Sequence, residues 1–157
     1  ISEMPVAAII STHGHEDHAG ALGEYAQPVQ IHMHENTLGR LRGRAGTAAA
    51  TGFRDQTTLT IGDVTFRLFH LGRGHTDGDA IIVVPGDRTA YVGDLVAEKA
   101  VPVIDAASGG SALALVQTLA RAVVEIKDVD YVITGHTPAP PGRAAHPEPH
   151  VLSEDPQ

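Results

Sequence analysis

The chain has 157 residues, 42% of them apolar and 19% charged, with a formal net charge of −8. One domain is the natural count for that length, no apolar run approaches the roughly 18 residues of a membrane span, and the acidic balance, with no basic run or face, counts against nucleic-acid binding. The absence of cysteine excludes disulfides and thiolate metal sites. The chain opens on Ile1 and enters an apolar strand almost at once, so it is read as lacking an N-terminal part. Neither its compartment (cytoplasmic, secreted or periplasmic) nor its oligomeric state is legible.

Val6 to Ile10, apolar and β-leaning after Pro5, reads as a central strand. A helix-like stretch from His18 to about Tyr25 follows, ended by Pro28. Val29 to Met33 alternates as a second strand, and Glu35 to Leu41 reads as a short helix. Residues 43–52 are small and nearly featureless and read as a loop. Leu59–Ile61 and Val64–Phe69 flank Gly62-Asp63 as a hairpin. A second, more apolar hairpin is expected from Ala80–Val84 and Thr89–Val92. Ser111 is the expected N-cap of the best helix in the chain. Its two apolar stripes, Leu113/Val116/Ala120/Val123 and Leu115/Leu119/Ala122/Ile126, are together expected to pack on a sheet. Tyr131 to Ile133 is the last expected strand. The domain is placed at residues 1–142 and a poorly ordered tail at 143–157.

The chemistry is concentrated in Ser11-Thr12-His13-Gly14-His15-Glu16-Asp17-His18, directly after the first strand. Neutral imidazole and carboxylate ligate borderline metals such as zinc. Three histidines and an aspartate exceed what one ion takes from so short a loop, which points to two metals. His75, Asp94 and His136 each follow an apolar strand or hairpin arm, where loops at one sheet edge converge. With His13, His15, Asp17 and His18 they make seven candidate ligands, enough for two ions and a shared carboxylate. His32, His34 and His70 read as strand-end or surface histidines, with partnering the other nitrogen of a metal-bound imidazole an outside role for His70. Asp77 and Asp79 are expected to hydrogen-bond near His75 or cap the next strand.

Thr12-His13-Gly14-His15-Glu16-Asp17-His18, Gly74-His75-Thr76, Gly93-Asp94-Leu95 and Gly135-His136, in this order and spacing, resemble the metallo-β-lactamase superfamily of metallohydrolases. The resemblance implies a four-layer αββα sandwich of the α/β (α+β) class, here incomplete at the N-terminus. It also implies a division of ligands: His13, His15 and His75 on one metal, Asp17, His18 and His136 on the other, Asp94 bridging. Two Zn(2+) ions are the implied cofactors, with iron or manganese as alternatives. The implied activity is zinc-dependent hydrolysis of a small-molecule substrate, with Asp17 orienting a hydroxide held between the metals. A small ester, lactone, thioester or amide is favoured. A β-lactam is less so, because the true β-lactamases tend to carry Cys or Ser where this chain has Asp94. A mononuclear iron persulfide dioxygenase-like oxidoreductase or a phosphodiesterase is the alternative. The flavodiiron branch, which usually has Glu at the position of His15, fits poorly.

Overall fold

A computed structural model of the chain describes residues 5–25, 29–136 and 150–151. The first sheet is small and parallel, in the order β1 (Ala8–Ile10), β2 (Gln30–His34), β3 (Thr51–Phe53). The second has six strands in sequence order: β4 (Gln56–Ile61), β5 (Val64–Phe69), β6 (Ile81–Val84), β7 (Thr89–Gly93), β8 (Tyr131–Thr134) and β9 (His150–Val151). Its pairs are antiparallel except β7 and β8, which run parallel and need a crossover between them. Helix α3 (Ala112–Glu125) lies within that crossover. Short helices α1 (Glu16–Ala19) and α2 (Glu35–Leu41) follow β1 and β2.

Side-chain alternation stacks these elements into four layers. Ile31 and Met33 of β2 point one way, onto Ala19, Leu22 and Leu41 of the α1–α2 side. Phe53 of the first sheet meets Leu68, Ala80 and Ile82 of the second, joined by Ile10. On the far face of the second sheet, Phe69, Ile81, Val83, Ala90 and Val92 pack against Leu115, Leu119, Ala122 and Ile126 of the α3 layer. Each strand of β5–β6 therefore feeds two cores with successive residues, as a period of two demands. The order helix, sheet, sheet, helix is the αββα arrangement that the family resemblance implied.

Several local expectations change. The loop expected at 43–52 contains a 3-10 turn, Thr47–Ala49, and the start of β3. Its small residues give no apolar period, and β3 forms because β2 offers a parallel edge. Residues 16–24 form α1 and a separate 3-10 turn rather than one helix. Helix α3 begins as expected, with Ser111 accepting the Ala114 N–H at 3.3 Å. Only one of its two apolar stripes is covered, however. Leu113, Val116 and Val123 are 77%, 68% and 76% exposed, because a helix resting on a single sheet buries one face. The expected stop at Pro28 and the tail, apart from His150–Val151, lie outside the described residues. Among the described residues no helix is long and apolar enough to cross a membrane.

Of the histidines outside the main cluster, His34 is buried at the end of β2. Its Nδ1 accepts the Asn36 N–H at 3.3 Å at the start of α2, and its ring stacks on His70 at 3.8 Å. Burial, and then the proximity of His70, push its pKa down to about 4 from 6.5.

Two outcomes follow from this packing. Leu115→Ala lowers stability by roughly 2–5 kcal/mol in urea titration, while Val116→Thr, one residue on, changes it by no more than about 0.5 kcal/mol. Between pH 6.5 and 4 the unfolded chain binds a proton at His34 that the folded chain refuses. The contribution of His34 is therefore full above pH 6.5 and is lost as pH falls toward 4, by up to about 3 kcal/mol. His34→Asn, which retains an N-cap acceptor, flattens the urea midpoint's pH dependence over that window. An unaltered slope rules His34 out as its source.

Candidate metal centre

The first strand delivers the His-rich loop, the β5–β6 connection delivers His75, the end of β7 delivers Asp94 and the end of β8 delivers His136. The two sheets are joined at this rim by the Ala80 N–H, which donates to the Thr12 carbonyl at 2.7 Å. Parallel pairing of β7 and β8 ends with Gly93 beside Thr134, and the Gly135 N–H donates to the Gly93 carbonyl at 2.9 Å. Asp94 and His136 thereby become neighbours.

All seven residues expected from the sequence meet in one cluster. Three sets have ligand atoms within 4.8 Å of one another: His13/His15/His75, His13/His18/Asp94 and Asp17/His18/His136. Asp94 sits between the others. Its Oδ2 lies 3.2 Å from His136 Nε2, 3.7 Å from His75 Nε2 and 4.0 Å from His13 Nε2, and its Oδ1 lies 3.3 Å from His18 Nε2. Asp17 Oδ2 is 3.2 Å from His136 Nε2 and 3.4 Å from His18 Nε2.

Three observations fit a cation here. First, His13 Nε2 and Asp94 Oδ1 are buried without a hydrogen bond, which costs stability unless something else satisfies them. Second, burial, with His18, His75 and His15 nearby, pushes the His13 pKa down to about 3, keeping the ring in its neutral, ligating form. Third, His75 Nδ1 lies 2.7 Å from the Val103 carbonyl, which can only accept, so that nitrogen carries the proton. His15 Nε2 faces Asp105 Oδ2 at 2.9 Å and carries its proton for the same reason. The remaining nitrogens, His75 Nε2 and His15 Nδ1, then point lone pairs at each other across 2.9 Å. Two such lone pairs repel unless they share an electrophile.

The matching sequence profile is that of the metallo-beta-lactamase superfamily, over residues 1–136. The chain belongs to the metallo-beta-lactamase superfamily. Its members are mostly metal-dependent hydrolases, and the His/Asp groups above are of the kind that hold their metal ions. The metallo-beta-lactamase type 2 of Bacteroides fragilis is 23% identical over 132 residues, covering 83% of this chain and 53% of that protein. Among solved structures, a metallo-beta-lactamase from Pontibacter korlensis superposes with a TM-score of 0.74 at 23% identity, covering 87% of this chain and 64% of that one. A protein crystallised in a di-iron-bound form gives a TM-score of 0.64 at 23% identity, over 84% and 70%. This superfamily chain thus spans roughly half to two thirds of the lengths of these relatives.

Other candidates take other places. Asp77 accepts both Arg40 Nε at 3.2 Å and Nη2 at 2.6 Å, tying α2 to the His75 loop. The buried Asp79 accepts the Thr76 N–H and hydroxyl, which shapes the turn after His75. Among the described residues His70 bonds none of the seven: its Nδ1 bonds the Asp79 carbonyl at 2.8 Å. The sequence reading missed Asp105 and the Val103 carbonyl as partners of the cluster. Asp105 also accepts from the Ala107 and Ser108 amides, and hydrogen bonds from Ser108 and His15 hold its carboxyl well below the usual carboxylate range. An Asp that caps a turn gives no further sign in the sequence.

At Gly135 the backbone runs tight against the cluster. A Cβ there would overlap Asp94 Oδ1 and stand 2.7 Å from His18 Cε1. Gly135→Ala is therefore expected to weaken metal binding by on the order of tenfold, comparable to loss of a supporting contact. Titration against a chromogenic chelator measures this, and wild-type affinity would mean that Asp94 and His18 are not needed where they stand.

Proposed function

We propose that this chain is the catalytic part of a dinuclear zinc hydrolase acting on a small ester, lactone, thioester or amide. The observation that carries the reading is the single carboxylate, Asp94, set among four imidazoles with an Asp/His/His set on one side and a His/His/His set on the other. His13, His15 and His75 would hold one ion and Asp17, His18 and His136 the other, with Asp94 shared. When bound, such a pair of dications supplies Lewis acidity, lowering the pKa of water toward about 7 and polarising the bond under attack.

The chain's own residues supply the rest. Asp17 is 58% exposed, with one oxygen engaged by His18 and His136. A water molecule can therefore reach its carboxylate, accept orientation from it and lose a proton toward it. Its oxygen then forms the new bond to the carbonyl carbon, the bond to the leaving group breaks, and the proton ends on that group. Clefts of about 330 and 270 Å³ flank His136, one running past Asp17 and Tyr91 and the other past Val96, Val101 and Val103. Both are at the small end for ligand sites, in keeping with a small substrate. The chain has no cysteine nucleophile, and water serves in its place.

One similar structure is of a protein in a di-iron-bound form, which supports a second reading in which this ligand set takes iron; an iron oxidoreductase is the activity that would go with it. Elemental analysis of protein expressed without added metal separates the two, two zincs favouring the hydrolase and iron the oxidoreductase. With zinc, hydrolysis of at least one member of an ester, lactone, thioester and amide panel is expected. It should disappear on chelation and fall by about 10²–10⁴-fold in Asp17→Ala. Turnover that survives both treatments would overturn the assignment.

A further inference from the structure

Segment 103–111 is stitched onto the His75 loop along its length. The Asp105 N–H donates to the His75 carbonyl at 2.9 Å, the Asp77 N–H to the Ser108 carbonyl at 2.9 Å and the Ser111 N–H to the Gly74 carbonyl at 2.8 Å. The Gly110 N–H returns to the Asp105 carbonyl at 2.8 Å, and a Cβ on Gly110 would overlap the His75 carbonyl. From this frame the Val103 carbonyl meets His75 Nδ1 and the Asp105 carboxylate meets His15 Nε2. The two oxygens of Asp105 divide their work. Oδ1 accepts the Ala107 and Ser108 amides at 3.0 and 3.2 Å, which aims the group, and Oδ2 faces His15.

From this arrangement we infer that Asp105 is a positioning residue of the metal centre: it holds the His15 ring in its Nε2–H form, so that Nδ1 is the atom presented beside His75 Nε2. The inference rests on the metal reading above and adds to it a determinant of affinity outside the seven ligands. A backbone carbonyl fixes His75, which no substitution of residue 103 short of moving the main chain can undo. His15, by contrast, depends on one replaceable side chain. Segment 103–105 is thus where the metal affinity of the His13/His15/His75 set can be tuned without touching a ligand.

The chemistry of the amide makes a sharp test. Asp105→Asn retains a carbonyl oxygen for the Ala107 and Ser108 amides but turns an NH2 toward His15. That group donates, so it favours His15 with Nε2 bare and the proton on Nδ1, the nitrogen that faces His75. In metal-free protein, long-range ¹H–¹⁵N correlation spectra of the imidazoles read the tautomer directly. The expected result is Nε2–H for His15 in the wild type and a shift toward Nδ1–H in Asp105→Asn, with His75 unchanged. In chelator competition, Asp105→Asn should bind one zinc equivalent, the one assigned to His13, His15 and His75, about 10–100-fold less tightly. Asp105→Ser removes the carboxylate without offering the amide donor. It should lose the fixed tautomer, and it provides the same readouts if the Asn variant does not fold. An unchanged His15 tautomer, or unchanged zinc affinity in a folded variant, overturns the inference. A wild type that binds no zinc would instead sink the metal reading, while the tautomer spectra would still decide the role of Asp105.

Discussion

The arrangement of the whole rim depends on one electrostatic constraint: an aspartate and five imidazoles are held closer than neutral or like-charged groups would choose. Asp94 is mostly buried, and four imidazole nitrogens lie within 4.0 Å of its oxygens. The His15 and His75 rings meet edge to face at 4.6 Å with unprotonated nitrogens opposed. Left alone, such a cluster costs folding energy through desolvation and repulsion. The cost is tolerated because the surrounding scaffold over-determines it, the pattern expected of a site built for a ligand. Two sheets cross-tied at Thr12–Ala80, a parallel β7–β8 pair and segment 103–111 each fix one part of the ring.

This division explains why the site lies where it does. Strands β1, β7 and β8 end at a common rim, so residues just past their ends converge without any long side chain having to reach. The cores beneath the rim are separate: one under α1 and α2, one between the sheets, one under α3. Candidate ligands from both sheets therefore rest on a packed foundation, and the outermost pair, Asp17 and His136, are the most open to solvent of the seven, followed by His15.

The seven clustered residues were legible in the sequence because their side-chain chemistry is distinctive and each follows an apolar strand. The four layers were legible only through resemblance, since the hairpin and helix patterns alone allow other arrangements. What was not legible has identifiable reasons. Thr51–Phe53 becomes a strand through the edge that β2 offers, with little apolar signal of its own. Helix α3 carries two apolar stripes, and periodicity cannot say which one a single sheet will cover. Asp105 looks in sequence like any turn-capping aspartate; its second oxygen acquires meaning only when the fold brings it against a histidine 90 positions away.

The parallel pairing of β7 with β8 also has a bearing on how the molecule comes to be. Strands β4 to β7 are successive antiparallel neighbours joined without a crossover, whereas β8 can join only after the chain has travelled out through α3 and back. Non-local closures of that kind tend to come late, since the loop entropy must be spent before the contact repays it. His136, which meets a histidine 118 positions earlier, arrives with β8. A chain emerging from synthesis would thus expose His13, His15, Asp17 and His18 long before their partners exist.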